Sequence, residues 1–251
     1  VKKLIVTGDD FGLTSGVVAG ILMAHQKGIL TSASLMANAP AADEAFRAAR
    51  EYRTLSVGLH FVLTFGHPIG PPDPIGSLLK PDGSFLRLES GAHARVESSD
   101  VRPELEAQLL RFTKEVERLP AHIDGHHHVH TQPGVLEAVI AIARKKNLPV
   151  RAPDDKTRDT LIASGVKTTG AFIDRFYGEG AISEGEAIAI IESLTEGTNE
   201  LMCHPAVEYS ELKPLSGYTH QRCRELETLT APSVREAIDR FGIELIPSSG
   251  L

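Results

Sequence analysis

Residues 122–130 read HIDGHHHVH, five imidazoles and one carboxylate in nine positions of a 251-residue chain that holds eleven histidines. The tract is internal and broken by apolar residues, which separates it from an expression tag or a polar metal-buffering run. Read as a strand leaving a core, it alternates sides, so Asp124, His126 and His128 share one face and His127 takes the other. Burying two imidazoles and a carboxylate without a polar purpose is costly. Partners lie elsewhere: Asp9-Asp10 after the run LIVTG, His60 in VGLHFVL, and His204 in MCHP. Two neutral imidazoles and a carboxylate form a three-ligand cation site with open positions. A cation there lowers the pKa of a water and polarises a carbonyl. A second carboxylate can take the water's proton, and an imidazole opposite can protonate a leaving nitrogen. Asp9 and Asp10 can divide the roles of base and ligand. Either could instead cap a helix, but Thr14 and Ser15 stand nearer the expected helix start.

These residues need a scaffold that brings distant segments to one place. Short β-rich runs alternate with amphipathic helical runs along the chain: LIVTG, then SGVVAGILMAHQKG; SASLMAN, then AADEAFRAAREY; then LSVGLHFVL. A helix over RPELEAQLLRFTKEVERL, with Pro103 in its first turn, precedes the histidine tract. The helix GVLEAVIAIARKKN, the strand PVRAP, a short helix ending at Gly165 and a weaker strand at AFIDRF come after it. The helix SEGEAIAIIESLTEG, the strand NELMCHP, the helices RCRELETLT and PSVREAIDRFG, and the strand IELIPS complete the series. Seven or eight β-runs separated by helices predict mostly parallel strands with crossover helices, in a closed or deformed (β/α) barrel. No glycine-rich phosphate loop follows any strand, which disfavours a nucleotide-binding sheet. The C-terminal rim of such a barrel carries its site, and the acids and imidazoles fall at those strand ends. Residues 1–251 read as a single domain with one long irregular loop near 66–100. Its first part, GHPIGPPDPIGSLLKPDGS, is too rich in proline and glycine for a regular element and reads as a lid or substrate wall.

A formal net charge of −7 argues against nucleic acid or an anionic membrane as partner, and the apolar runs are too short to span a bilayer. The opening VKKLIVTGDD reads as a strand rather than a signal-peptide core, and Cys203 and Cys223 read as reduced thiols of a cytoplasmic protein. There is no tryptophan, so stacking on a sugar must come from Tyr, Phe or His.

GDDFGL at 8–13, VGLHFVLT at 57–64, HIDGHHHVH, FYGE at 176–179, MCHPA at 202–206 and the late segment RCRELETLTAPSVREAI together resemble the YdjC-like carbohydrate deacetylases, which include chitooligosaccharide deacetylases. The resemblance runs in order over almost the whole chain. It implies a deformed barrel related to polysaccharide deacetylases, one divalent metal (Mg or Zn, with Mn or Co as further candidates) and hydrolysis of an N-acetylated amino sugar. It also makes a homodimer plausible. By motif position Asp10, His60 and His126 look like metal ligands, Asp9 like the base, and His204 like the protonating or oxyanion-side group. Asp124, His128, Arg222 and Tyr177 fall into substrate-facing or supporting places, with Arg222 expected to orient Asp9 or close the site. Rival readings are a phosphoester or other amide hydrolase, an iron site for oxygen chemistry, and a non-catalytic sugar- or metal-binding module. The strand ends show almost no Lys or Arg for clamping phosphate, and a binding module has no need of Asp9 beside Asp10.

Overall fold

A computed structural model describes residues 1–87 and 91–251. Seven strands, β1 (Lys2–Phe11), β2 (Ser32–Leu35), β3 (Ser56–Phe61), β4 (Ile123–Gly125), β5 (Ala171–Ile173), β6 (Gly197–Cys203) and β7 (Glu244–Leu245), form one sheet. Its order is β4-β3-β2-β1-β6-β5, with β7 beside the start of β1 and every strand pairing parallel. Beyond β4, Ile123 N donates to Pro149 O (2.9 Å) and Arg151 N to Ile123 O (3.1 Å), while Val150 N donates to Lys167 O (2.9 Å). These bonds carry the path round toward β5 without a full strand. The result is the deformed parallel barrel that the alternation predicts.

The helices α1 (Ser15–Lys27), α2 (Ala42–Glu51), α3 (Ser98–Val116), α4 (Pro133–Lys146), α5 (Asp155–Ala163), α6 (Glu184–Glu192), α7 (Gln221–Leu229) and α8 (Pro232–Arg240) connect the strands. On α1 the buried residues Val17, Val18, Ile21 and Ala24 recur at helical spacing, and Thr14 caps it by accepting from Val17 N (3.2 Å). The cap thus leaves both aspartates free. Along β1, Leu4 and Val6 belong to the apolar core while Thr7 and Asp9 turn inward to meet buried charge. The barrel interior is therefore polar, and the apolar core lies around it.

Three expectations need correction. α3 begins a turn before Pro103, which lies inside the helix and forfeits the bond to the carbonyl of residue 99; burial of Val101 holds the added turn in place. PVRAP contributes an isolated bridge at Val150 instead of a strand. The histidine tract leaves strand geometry at Gly125: His126–Thr131 form a 3-10 turn in which His127 (φ 55°) and His128 (φ 52°) are left-handed.

The long loop near 66–100 includes residues 88–90, which lie outside the described residues. Its described part is more ordered than its composition suggests, with a 3-10 segment at Asp73–Leu78, a bridge between Leu79 and Phe85, and Ile75, Leu78 and Phe85 buried. α3 holds the start of the loop. Gln108 bonds both polar groups of the Val62 backbone (3.0 and 2.8 Å), and one turn earlier Glu104 accepts from Ile69 N (3.0 Å), Gly70 N (2.6 Å) and Gln108 Nε2 (2.7 Å). Burial pushes the Glu104 carboxyl above its ordinary range, against the pull of those three donors. Glu104→Ala should lower unfolding stability by about 2 kcal/mol, since it strands two backbone donors and a side-chain amide. Glu104→Gln, which keeps one acceptor, should lose about half as much. Urea denaturation midpoints check both.

Candidate active site

The C-terminal strand ends open into a cleft of about 770 Å³. At its base lie Asp9 and Asp10 from β1, His60 from β3 and His126 just beyond β4, with Asp124 of β4 fully buried against His60. Adjacent strand residues ordinarily face opposite sides, yet both aspartates point inward. The register between β1 and β2 breaks between Gly8 and Phe11, and Asp10 takes a left-handed backbone (φ 63°). This bulge re-aims the second acid beside the first. Asp tolerates that conformation better than most residues because its short side chain bonds locally.

Asp10 Oδ1 lies 2.9 Å from His126 Nδ1 and 3.5 Å from His60 Nε2. The other oxygen, Oδ2, accepts from Arg222 Nη2 at 2.6 Å. Nδ1–H of His60 donates to Asp124 Oδ1 (2.7 Å), which turns its Nε2 toward Asp10. Asp10, His60 and His126 thus present one donor atom each, mutually within 4.8 Å, on the cleft side. Asp9, His60 and Asp124 also cluster, but Arg151 occupies both oxygens of Asp9 (2.7 and 2.8 Å) and Oδ2 of Asp124 (2.8 Å). That second group is an ion-pair cluster rather than a cation site. The first fits a divalent cation in donor type, spacing and charge. Four carboxylates (Asp9, Asp10, Asp124 and Glu200) surround two guanidiniums, so negative charge is in excess. Burial alone would drive His60 below its usual pKa, but Asp124 and Asp9 outweigh it and hold the ring up to about 10. The site favours positive charge at that point.

Arg151 organises the acids. Its side chain is fully buried and also donates from Nε to Glu200 Oε1 (2.9 Å). Burial opposes ionisation of Asp9, Asp10 and Asp124, yet all three stay below the ordinary carboxylate value, through Arg151 at Asp9 and Asp124 and Arg222 at Asp10. Sequence reasoning missed Arg151; an arginine inside the apolar β-run PVRAP was the available signal. It also placed too little positive charge at the rim, where Arg222, Arg87 and Lys213 line the cleft. Arg222, expected to orient Asp9 or close the site, lines the cleft and holds Asp10.

On the opposite wall, His204 N donates to Glu225 Oε2, and His204 Nδ1 lies buried 4.0 Å from Glu225 Oε1. Burial, reinforced by Arg222, lowers the His204 pKa to about 4, and burial raises that of Glu225 to about 7. Glu225 stands one turn after Arg222 on α7, a spacing that could have linked the two. Tyr177 stacks on Tyr218 (4.2 Å, 18°) and meets His204 edge-on, with about half its surface exposed to the cleft. The histidine tract departs from the expected split. His126, His127 and His128 all line the cleft; His127 packs on His126 (3.9 Å between centroids) and bonds Thr64 Oγ1 (3.0 Å), so it does not point away. Two successive left-handed residues fold the chain back, which strand alternation cannot do.

Residues 3–240 match the model of the family described as YdjC-like protein. Among curated relatives, a carbohydrate deacetylase of Geobacillus stearothermophilus is 40% identical, covering 98% of this chain and 96% of its own. A chitooligosaccharide deacetylase of Serratia marcescens is 37% identical, covering 97% of each chain. The crystal structure of an Enterococcus faecalis V583 protein, provisionally described as a cellobiose-phosphate cleavage protein, superposes with a TM-score of 0.91 at 36% identity, covering 99% and 98% of the chains. A family 4 acetyl xylan esterase of Clostridium thermocellum, solved with a cobalt ion, shares the fold at a TM-score of 0.56 and 12% identity, covering 99% and 89%. With the family model matched from residue 3 to residue 240 and curated relatives this similar over nearly their full length, the chain belongs to the YdjC-like family.

Proposed function

We propose that this protein removes the acetyl group from an N-acetylated amino sugar or chitooligosaccharide by metal-dependent hydrolysis. The carrying observation is the convergence of Asp10, His60 and His126 at the base of a sugar-sized cleft, with Asp9 fixed beside them by Arg151. The names of the deacetylase relatives agree with it. One divalent ion such as Mg, Zn, Mn or Co, held by those three residues, would supply Lewis-acid activation of water and of the acetyl carbonyl.

Asp9 is the base. Arg151 holds both its oxygens in a fixed plane and keeps it ionised, so it is ready to accept a proton from an attacking water. The proton it takes goes to the departing nitrogen, and the second proton of the water ends on the amine too, so amide and water become acetate and an ammonium with no net proton change. His204 presents a neutral imidazole at pH 7, because burial holds its pKa near 4. That favours its role as a hydrogen-bond donor to the developing oxyanion over that of a proton source. Asp124 fixes the His60 ring. Tyr177, half exposed on its stacked partner, offers an aromatic face to a pyranose.

Three measurements test this reading. Chelator-treated protein should lose acetate release from N,N′-diacetylchitobiose, and added metal should restore it; His126→Ala should lose bound metal and activity together. A His126 variant that retains full occupancy contradicts the ligand assignment. Asp9→Asn should keep its metal while turnover falls by roughly a hundredfold or more, the scale for losing a general base. Loss of metal instead would exchange the roles of Asp9 and Asp10. His204→Ala should slow an amide and an activated ester alike, each by about a hundredfold, as removal of an oxyanion donor does. A penalty confined to the amide would make His204 the acid.

A further inference from the structure

Parallel registers place Ser34, Gly58 and His122 in one row across β2, β3 and the residue before β4: Ser34 pairs with Gly58, and Leu59 and His60 with Ile123 and Asp124. The His122 ring lies over Gly58, where a Cβ would come within 2.3 Å of it. Only glycine leaves room for this crossing. Through it His122 Nε2 reaches Ser34 Oγ (3.0 Å), and its other nitrogen, Nδ1, meets Ser248 Oγ (2.9 Å). Ser248 belongs to the 3-10 turn Ser248–Gly250, which seals the N-terminal end of the barrel, opposite the cleft. There Ser248 N donates to Ser32 Oγ (2.9 Å) and Ser249 N to Ser56 Oγ (3.1 Å), both at the starts of their strands. Ser248, His122, Ser34 and Asp124 are all buried.

The donors in this chain have one consistent direction. A carboxylate only accepts, so the single hydroxyl proton of Ser34 goes to Asp124 Oδ2 (2.7 Å). Ser34 must therefore accept from His122, whose proton sits on Nε2. Nδ1 of His122 then accepts from the Ser248 hydroxyl, and Ser248 accepts from Ser56 Oγ (2.9 Å). Every proton points toward Asp124, whose other oxygen takes Nδ1–H of His60 and turns His60 Nε2 toward Asp10.

We propose that Ser248 is a positioning residue for the metal site, acting from the far end of the barrel through His122, Ser34 and Asp124 to fix the tautomer and orientation of His60. The proposal rests on the reading of His60 as a ligand. Outer partners of metal-bound histidines commonly change affinity by about 10- to 100-fold, and Ser248 stands further out than most.

Two measurements on the whole chain test it. Long-range ¹H–¹⁵N NMR of the metal-free protein reads the His122 tautomer, which should carry its proton on Nε2; a proton on Nδ1 in the wild-type chain overturns the relay. Titration with Co(II) should show Ser248→Ala binding about tenfold more weakly with a changed His122 tautomer, and Ser248→Thr, which keeps the hydroxyl, restoring both. Ser249→Ala, in the same turn but with no side chain in the relay, should match wild type in both. Wild-type Co(II) affinity in Ser248→Ala, or equal weakening in Ser249→Ala, overturns the proposal. Should Ser248→Ala fail to fold, the wild-type tautomer still decides. A wild-type chain that binds no Co(II) contradicts the metal reading instead, and the tautomer, measured without metal, separates that failure from failure of the relay.

Discussion

One guanidinium, that of Arg151, joins the acids of three strands to the segment beside β4. It binds Asp9 on β1, Asp124 on β4 and Glu200 on β6 from its own position beside β4, and all four side chains are buried. Desolvating any one of these charges alone would cost several kcal/mol, and the interior tolerates them because each is paired and hydrogen-bonded. The planar fork suits the task as an ammonium would not, since it satisfies two oxygens of Asp9 while facing two further acids. The arrangement fixes the base and, through Asp124, the ring of His60. It also keeps Asp9 ionised in a place that would otherwise protonate it.

Backbone strain serves the same end. Left-handed residues stand at Asp10, His127 and His128, around the base of the cleft. Such conformations cost of order 1–3 kcal/mol each for ordinary residues and persist only where the surroundings over-determine them. At Asp10 the surroundings are Arg222 and the two imidazoles; at His127 they include Thr64 and the ring of His126. The bulge and the reversal each move a side chain onto a face that regular strand geometry denies it.

The cleft walls differ in kind from its base. Tyr177, Tyr218 and His204 pack as rings, and Glu225 links the last two through the Tyr218 hydroxyl and the His204 backbone. This wall is largely aromatic, which suits a sugar ring. The loop after β3 builds the facing side, where Thr64 and Phe65 line the cleft, and Glu104 and Gln108 of α3 hold its first residues.

Sequence alone determined the alternation of strands and helices, because periodicity and caps are local: Thr14 and Gly165 act where their types predict. It also singled out Asp9, Asp10, His60, His126 and His204, since polar residues at the ends of apolar runs stand out in a linear reading and parallel strands gather those ends on one rim. Tertiary structure decided the rest. Arg151 looked like an ordinary β-run residue until the barrel placed three acids around it. The pairing of Arg222 with Asp10 required α7 to pack against the end of β1, a contact between residues 212 positions apart. The turn at His127–His128 overrode strand alternation, which describes a chain only while it remains paired. The meeting of Gly58, His122 and Ser248 has no local signal; it comes from strand register, which fixes who faces whom and which no single segment encodes.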